Sequence, residues 1–160
     1  MSTLPFPGPP AAALVLGIDP GPSTGIVLLS RGYSAQAFQC NADAAPWLVR
    51  AVLGAQKGFP VRGGIEAFAP GHGAGATMKT GKITRDLVVE LAGIAADCGV
   101  PLQARFASVV KAWATDKRLR EAGLYELTSK APDARDAARH ALFCAVHDCG
   151  YPDPLSRRAG

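Results

Sequence analysis

The feature that most constrains the fold of this chain is an apolar run that ends in a carboxylate. Residues 13–19 (ALVLGID) have the length of one strand and are hydrophobic without alternation up to Asp19. Uninterrupted hydrophobicity is typical of a central strand that is covered on both faces. Residues 20–25 (PGPSTG) are turn formers, and residues 26–29 predict a second strand that pairs with the first.

Strand and helix patterns alternate along the rest of the chain. They predict strands over 33–39, 61–68 and 102–106, and helices over 41–57, 82–98, 108–122 and 132–149. We expect Asn41 to cap the first of these helices and Trp47 to face inward. Three early strands followed by alternating helices and strands predict an α/β fold with a layered sheet.

The chain has the size of one globular domain, at 160 residues. We expect a flexible proline-rich arm over residues 1–12, a single domain over 13–150, and a mobile basic tail over 151–160. With 48% apolar and 19% charged residues, the composition excludes a disordered or fibrous protein.

Targeting signals are not expected in this sequence. The longest apolar stretch, residues 11–18, is too short to span a bilayer, and four prolines but no basic residue precede it. The four cysteines form no CxxC pair, which favours free thiols in a reducing compartment. We therefore expect a cytoplasmic protein that makes no use of a membrane.

Basic residues are concentrated in one stretch of the chain. The chain has 17 Lys and Arg against 13 Asp and Glu. Residues 105–120 contain five of these basic residues and a single acid, Asp116. Such a stretch favours a polyanionic partner, although a solvated helix face is the alternative interpretation.

Four acids are candidates for a metal site. Asp19 ends a buried strand, where an isolated charge would be costly, and Glu66 lies on another apolar strand. Asp133 and Asp136 are three residues apart and share one face of a predicted helix. Carboxylate oxygens select Mg²⁺ or Mn²⁺, and a pair of such ions supports phosphodiester hydrolysis. The alternative assigns these acids to a turn, a helix N-terminus and an exposed strand position.

Several segments resemble motifs of the RuvC-like Holliday junction resolvases, a branch of the ribonuclease H-like nucleases, and they occur in the same order as in that family. The resemblance covers most of residues 14–147. It rests on residues 16–25 (LGIDPGPSTG), 65–66 (IE), 79–85 (KTGKITR), 108–115 (SVVKAWAT) and 133–142 (DARDAARHAL).

The resemblance implies a ribonuclease H-like mixed sheet of about five strands flanked by helices, and it implies roles for individual residues. Asp19, Glu66 and Asp136 would bind two Mg²⁺ ions (Mn²⁺ being possible), with Asp133 in support. Lys111 would lie near the scissile phosphate. Phe68 matches an aromatic wedge but is one residue early, which favours core packing. The remaining residues implied in DNA binding are basic: Lys82, Arg85, Lys117, Arg118 and Arg120.

The resemblance also implies a function, a homodimeric endonuclease that resolves four-way DNA junctions. The dimer would form through the helix over 82–98, where Val89 widens the apolar stripe. The alternatives are a nuclease for forks, flaps or structured RNA, and a junction-binding protein without cleavage. Residues 17–24 also resemble the first phosphate loop of actin-like ATPases, but those proteins need two such domains to bind nucleotide. His140, Cys144, His147 and Cys149 point around their helix and do not predict a zinc site.

Overall fold

The computed structural model describes residues 12–69 and 78–158, and the glycine-rich loop over 71–75 lies outside them. This part of the chain forms one sheet with helices on both faces. The strands are β1 (Leu14–Asp19), β2 (Ser23–Ser30), β3 (Ala35–Asn41), β4 (Val61–Glu66) and β5 (Leu102–Arg105). The helices are α1 (Ala45–Ala55), α2 (Met78–Asp97), α3 (Ala107–Trp113), α4 (Asp116–Glu121), α5 (Leu124–Leu127) and α6 (Pro132–His147), followed by a 3₁₀ turn (Pro154–Arg158).

The sheet is mixed and has the strand order β3-β2-β1-β4-β5. Strand β1 pairs antiparallel with β2, so that Asp19 lies opposite Gly25. It pairs in parallel with β4, where Ile18 lies opposite Ile65. The prediction of an α/β fold with a mixed sheet of about five strands flanked by helices is confirmed.

The uninterrupted hydrophobicity of β1 reflects a core on each side of the sheet. Val15 belongs to the layer between the sheet and α6, together with Leu142. Leu16 and Ile18 belong to the layer beneath α1 and α2, together with Leu91. Successive residues of a strand point to opposite faces, so a strand buried on both faces needs apolar residues at every position.

The helix α6 lies unusually close to the sheet. A Cβ atom on Gly17 would lie 2.1 Å from the carbonyl oxygen of Ala137, and one on Gly25 would lie 2.0 Å from that of Asp133. Both distances are shorter than any van der Waals contact, so α6 can lie this close to the sheet only when both residues are glycine. The face of α6 toward the sheet consists of small residues, which include Ala134, Ala137, Ala138 and Ala141.

Two predictions about the first helix are wrong. Asn41 is the last residue of β3, and Ala44 takes the N-cap position of α1, while the Asn41 side-chain oxygen accepts a hydrogen bond from the Ala44 N–H at 3.0 Å. Trp47 was expected to face inward but is 71% exposed. Because the helix begins at Ala45, its buried face carries Val49, and Trp47 lies two residues away on the opposite side.

The segment expected to be a mobile basic tail packs on the domain where the structure describes it. Tyr151 is buried, and its hydroxyl donates to the carbonyl oxygens of Ala12 and Ala13. Asp153 pairs with Arg118 at 3.0 Å. The domain boundaries themselves stay a prediction. None of the helices in the described ranges has the length and apolar character needed to cross a bilayer.

Candidate active site

Asp19 and Glu66 lie side by side at one end of the sheet. They are the last residues of β1 and β4, two neighbouring parallel strands. Their side chains share a hydrogen bond. Asp19 is only 8% exposed, whereas Glu66 is half-buried and borders an open cleft. The two acids that the sequence separates by 47 positions are therefore neighbours in the fold.

The N-terminal part of α6 brings the other two acids to the same end of the sheet. The carbonyl of Asp133 lies against Gly25, which is the residue opposite Asp19 on the next strand. The start of α6 therefore lies over the strand next to Asp19. Asp136 follows on the next turn of α6, and the charges of both α6 acids act on Asp19.

Gln39 on β3 fixes the start of α6. Its side-chain oxygen accepts hydrogen bonds from the backbone N–H groups of Asp133, at 3.0 Å, and Ala134, at 3.3 Å. The residue at the N-cap position, Ala131, offers no side-chain acceptor. A glutamine from a distant strand thus performs the role that Ser, Asp or Asn usually performs from within the helix.

The electrostatics of this acid cluster favour the protonated form of Asp19. Burial raises the pKa of Asp19 far above its usual range, and the hydrogen bond to Glu66 and the charges of Glu66, Asp136 and Asp133 raise it further. Without a cation, Asp19 therefore keeps its proton near neutral pH. A bound cation would remove both the repulsion among the carboxylates and the need for that proton.

Lys111 and Arg139 are the cations in contact with Asp136. Lys111 Nζ donates to Asp136 Oδ2 at 2.9 Å, and Arg139 Nε lies 3.4 Å from Oδ1. Partial burial lowers the pKa of Lys111, but the hydrogen bond to Asp136 and the charges of Asp136, Glu66 and Asp19 outweigh it, so this pKa lies above its usual value. Arg139 also donates to the Ala114 carbonyl and to Asp116, which ties α6 to the start of α4.

The four acids offer the oxygen donors that divalent cations prefer, but their side chains are not arranged as a complete metal site. Within residues 12–69 and 78–158, no three His, Cys, Asp or Glu side chains are arranged to hold a metal ion. The present contacts of the acids explain why no such arrangement exists. Asp19 interacts with Glu66, while Asp136 pairs with Lys111 and Arg139. Carboxylate oxygens are nevertheless the donors that Mg²⁺ and Mn²⁺ prefer, and three further acids surround the buried Asp19.

A cleft of about 770 Å³ opens beside Glu66. Two aromatic side chains line it, Phe68 directly after β4 and Phe106 at the N-cap position of α3, and Phe106 is 53% exposed. The prediction that Phe68 serves core packing is not supported, because this half-buried side chain faces the cleft and lies next to Gly81. The other lining residues are Pro20, Pro22, Ala67, Ala69, Thr80, Thr84, Ala107 and Ser108, together with Gly81 and Glu66.

The remaining predicted DNA-binding residues differ in how far their charged groups already contact other parts of the protein. Lys117 is exposed, and Arg120 is exposed with its guanidinium 3.9 Å from the centre of the Tyr125 ring. Lys82 and Arg85 are exposed on α2, where both lie 3.5 Å from Asp86. Arg118 is already engaged, because it pairs with Asp153, donates to the Trp113 carbonyl and lies over the Trp113 ring.

Two residues of the site were missed by the sequence analysis, Gln39 and Arg139. Arg139 follows Asp136 by three residues on one helix, a spacing that would have indicated the contact. Nothing in the sequence connects Gln39 with α6, because the two are joined only by the fold. His140, which follows Asp136 by four residues on α6, is buried, and burial lowers its pKa to about 4, so the ring is neutral at neutral pH.

Solved structures similar to this chain include two of RuvC from Thermus thermophilus. Thermus thermophilus RuvC in complex with Holliday junction substrate superposes with a TM-score of 0.60 and 19% sequence identity, covering 85% of this chain and 96% of that chain. A second Thermus thermophilus RuvC structure superposes with a TM-score of 0.58 and 19% identity, covering 85% and 97%. No family model matches the sequence, and no curated protein matches it significantly.

The chain thus has the α/β fold of these two RuvC structures, with a mixed five-stranded sheet flanked by helices. This is the fold that the resemblance in the sequence implied.

Proposed function

We propose that this protein is a divalent-metal-dependent endonuclease that resolves four-way DNA junctions. The observation that carries the proposal is that Asp19 and Glu66 end two neighbouring parallel strands, where the charges of Asp133 and Asp136 also act on Asp19. Four carboxylates at one end of such a sheet are suited to metal-assisted hydrolysis of a phosphodiester. The RuvC structure that holds a Holliday junction substrate supports DNA junctions as the substrate.

Asp19, Glu66, Asp133 and Asp136 would hold two Mg²⁺ ions, and Mn²⁺ would suit the same oxygen donors. When bound, such ions activate a water molecule and neutralise the charge that develops on the phosphate. The protein itself contributes the placement of the DNA backbone. Lys111, whose side chain is half exposed beside Asp136, would bind a phosphate oxygen next to the scissile bond. Hydrolysis would leave a 5′-phosphate and a 3′-hydroxyl.

The rest of the DNA would be bound without reading its sequence. Lys117 and Arg120 on α4, and Lys82 and Arg85 on α2, are exposed cations that would contact backbone phosphates. Phe68 and Phe106 line the cleft beside Glu66 and would stack on bases that are unpaired at a junction. We leave Arg118 out of this set because its guanidinium is committed to Asp153 and Trp113.

A four-way junction has two equivalent strands to cut, so we further propose a homodimer that acts in the cytoplasm. The helix α2 would form the interface, because Val89 is 71% exposed on it while Leu87 and Leu91 already fill its buried side. Val89→Glu would then shift the sedimentation coefficient from that of a dimer to that of a monomer. A monomeric wild-type protein at micromolar concentration would contradict this part of the proposal.

The experiment that tests the function is cleavage of a synthetic four-way junction in Mg²⁺, compared with a fork and with linear duplex. We expect Asp19→Asn to lower the cleavage rate by about 100-fold or more and to keep junction binding in Ca²⁺. Asp97→Asn, at the far end of α2, is the matched control and should cleave as the wild type does. Undiminished cleavage by Asp19→Asn would refute the site, and preference for the fork would change the substrate.

A further inference from the structure

Arg139 is a charged side chain of α6 that is largely buried between three segments of the chain. Its side chain is 13% exposed, and its two terminal nitrogens donate to the Ala114 carbonyl and to the Asp116 carboxylate. Its Nε atom lies 3.4 Å from Asp136 Oδ1. One guanidinium therefore joins an acid of the candidate site to the connection between α3 and α4.

That connection determines where the end of α3 lies, and α3 carries Lys111. The helix has only seven residues, and Phe106 at its N-cap position has no polar side-chain atom that could cap it. A helix this short is not stable by itself, so its position depends on contacts with the rest of the protein. The Ala114 carbonyl, at the C-cap of α3, has no partner within the helix, and Arg139 supplies one.

Lys111 and Arg139 contact different oxygens of the Asp136 carboxylate. Lys111 Nζ donates to Oδ2 at 2.9 Å, while Arg139 lies beside Oδ1. Within residues 12–69 and 78–158, Arg139 Nε is buried and has no hydrogen-bond acceptor, so its contact with Asp136 is an ion pair without an aligned hydrogen bond. The guanidinium is therefore held in place by Ala114 and Asp116, and its position does not depend on the orientation of Asp136.

We propose that Arg139 is a positioning residue that fixes Lys111 beside the acids. The inference rests on the proposed function, in which Lys111 binds a phosphate oxygen next to the scissile bond. Arg139 acts through Lys111 and not on the DNA, because its buried guanidinium is already bonded to Ala114 and Asp116. Without this guanidinium, the end of α3 can move away from α6, and Lys111 no longer meets the phosphate in the productive position.

The first measurement uses the metal-free protein and does not require activity. In protein labelled with ¹⁵N-lysine, NMR detects the ammonium group of Lys111, because its hydrogen bond to Asp136 slows exchange with water, and Lys111→Ala identifies the signal. We expect Arg139→Gln to speed this exchange and to broaden the signal. Arg50→Gln, exposed on α1, is the matched control and should leave the signal unchanged. An unchanged signal in Arg139→Gln, or no Lys111 signal in the wild type, would overturn the proposal.

The second measurement is a double-mutant cycle on single-turnover cleavage of a four-way junction in Mg²⁺. We expect Arg139→Gln to lower the rate about tenfold and to change junction binding in Ca²⁺ by less than about twofold. In the Lys111→Ala background, the same change should lower the rate by less than about twofold, because the residue through which Arg139 acts is absent. A full tenfold loss in that background would show that Arg139 acts on the acids independently of Lys111, against the proposal.

Arg139→Lys separates the shape of the side chain from its charge. Lysine keeps a positive charge next to Asp136, but its single nitrogen does not reproduce the planar fork that reaches both Ala114 and Asp116. We therefore expect Arg139→Lys to slow cleavage about as much as Arg139→Gln does. A wild-type rate in Arg139→Lys would mean that only the charge matters, and the positioning role would then be wrong.

The two measurements also separate this inference from the proposed function. A wild-type protein that cleaves no junction would refute the function, whereas the NMR comparison would still decide whether Arg139 holds Lys111 in place. Should Arg139→Gln not fold, Asp116→Ala removes one of the two groups that hold the guanidinium, from a half-exposed position. This variant should also speed the exchange of the Lys111 ammonium group, and unchanged exchange would count against the proposal.

Discussion

The backbone of Asp133 lies directly against Gly25, with its carbonyl oxygen 2.0 Å from where a Cβ atom on Gly25 would stand. Gly25 is the residue opposite Asp19 in the sheet, so this contact determines how closely α6 approaches the end of β1. The acid cluster therefore depends on the absence of a side chain at Gly25 as much as on the carboxylates themselves.

Gly25→Ala should separate the helix from the sheet. The new methyl group meets backbone atoms, which cannot rotate away, so α6 must shift, and overpacking of this kind costs about 1–3 kcal/mol. We expect that loss of stability in urea unfolding, together with a large loss of junction cleavage in the fraction that folds.

Gly54→Ala is the matched control for this change. Gly54 lies near the end of α1 with open space around it, so alanine there should raise the stability by a few tenths to about 1 kcal/mol. Equal stability of the Gly25→Ala and wild-type proteins would show that α6 is not seated by this contact.

Gln39→Ala removes the side chain that caps α6. Two backbone N–H groups, those of Asp133 and Ala134, lose their acceptor, and loss of a helix cap costs about 0.5–2 kcal/mol. We expect a lower free energy of unfolding and a weaker thermal stabilisation by Mg²⁺, because the first turn of α6 carries Asp133. Gln36→Ala, on the exposed part of the same strand, should change the stability by less than about 0.5 kcal/mol.

The stability of the metal-free protein should depend on pH through Asp19. Its pKa is raised in the folded state above the usual 3.8, so the stabilisation that Asp19 contributes is complete below that value and is lost as the pH rises toward the folded-state pKa. The loss amounts to at most about 1.4 kcal/mol per pH unit. The lowered pKa of His140 has the opposite effect on stability between its usual 6.5 and about 4. This effect is the same in the wild type and in a variant changed at Asp19.

Asp19→Asn removes this dependence, because asparagine has no proton to lose. In EDTA, the variant should therefore become more stable than the wild type as the pH rises from 6.5 to 9, as measured by urea unfolding. Saturating Mg²⁺ should reverse that order by stabilising the wild type alone. A constant difference across this pH range would contradict the raised pKa of Asp19.

Lys111→Ala should affect cleavage much more than stability. Its ion pair with Asp136 is partly exposed, and such pairs contribute at most about 1 kcal/mol. Loss of a cation from the transferring phosphate should slow single-turnover cleavage by roughly 10²–10³-fold, and Lys111→Arg should restore part of the rate. Lys57→Ala, just beyond α1, is the control and should leave the rate unchanged. An unchanged rate in Lys111→Ala would place the lysine outside the reaction.

The fold could be predicted from the sequence where local patterns determine it. The continuous apolar run of β1 indicated a strand buried on both faces, and the ordered segments from residues 16–25 to 133–142 indicated a RuvC-like arrangement. The position of Trp47 could not be predicted, because the apolar residues of α1 fit two helix faces until the first residue of the helix is known.

The sequence indicated which acids form the site, but it did not indicate how they are arranged. The four acids could be named, but their contacts depend on close approaches between distant segments, such as Gly25 with Asp133 and Gln39 with the start of α6. The engagement of Arg118 also depends on such an approach, because its partner Asp153 lies in a segment that composition alone marked as a loose tail.

The central claim is that the carboxylates of β1, β4 and α6 bind divalent cations together. The most direct measurement is anomalous diffraction from crystals of the wild-type protein soaked in MnCl₂. We expect two anomalous peaks at the end of the sheet, bounded by Asp19, Glu66 and Asp136, with both peaks lost in Asp19→Asn. A fully soaked crystal without anomalous density beside Asp19 would contradict the account.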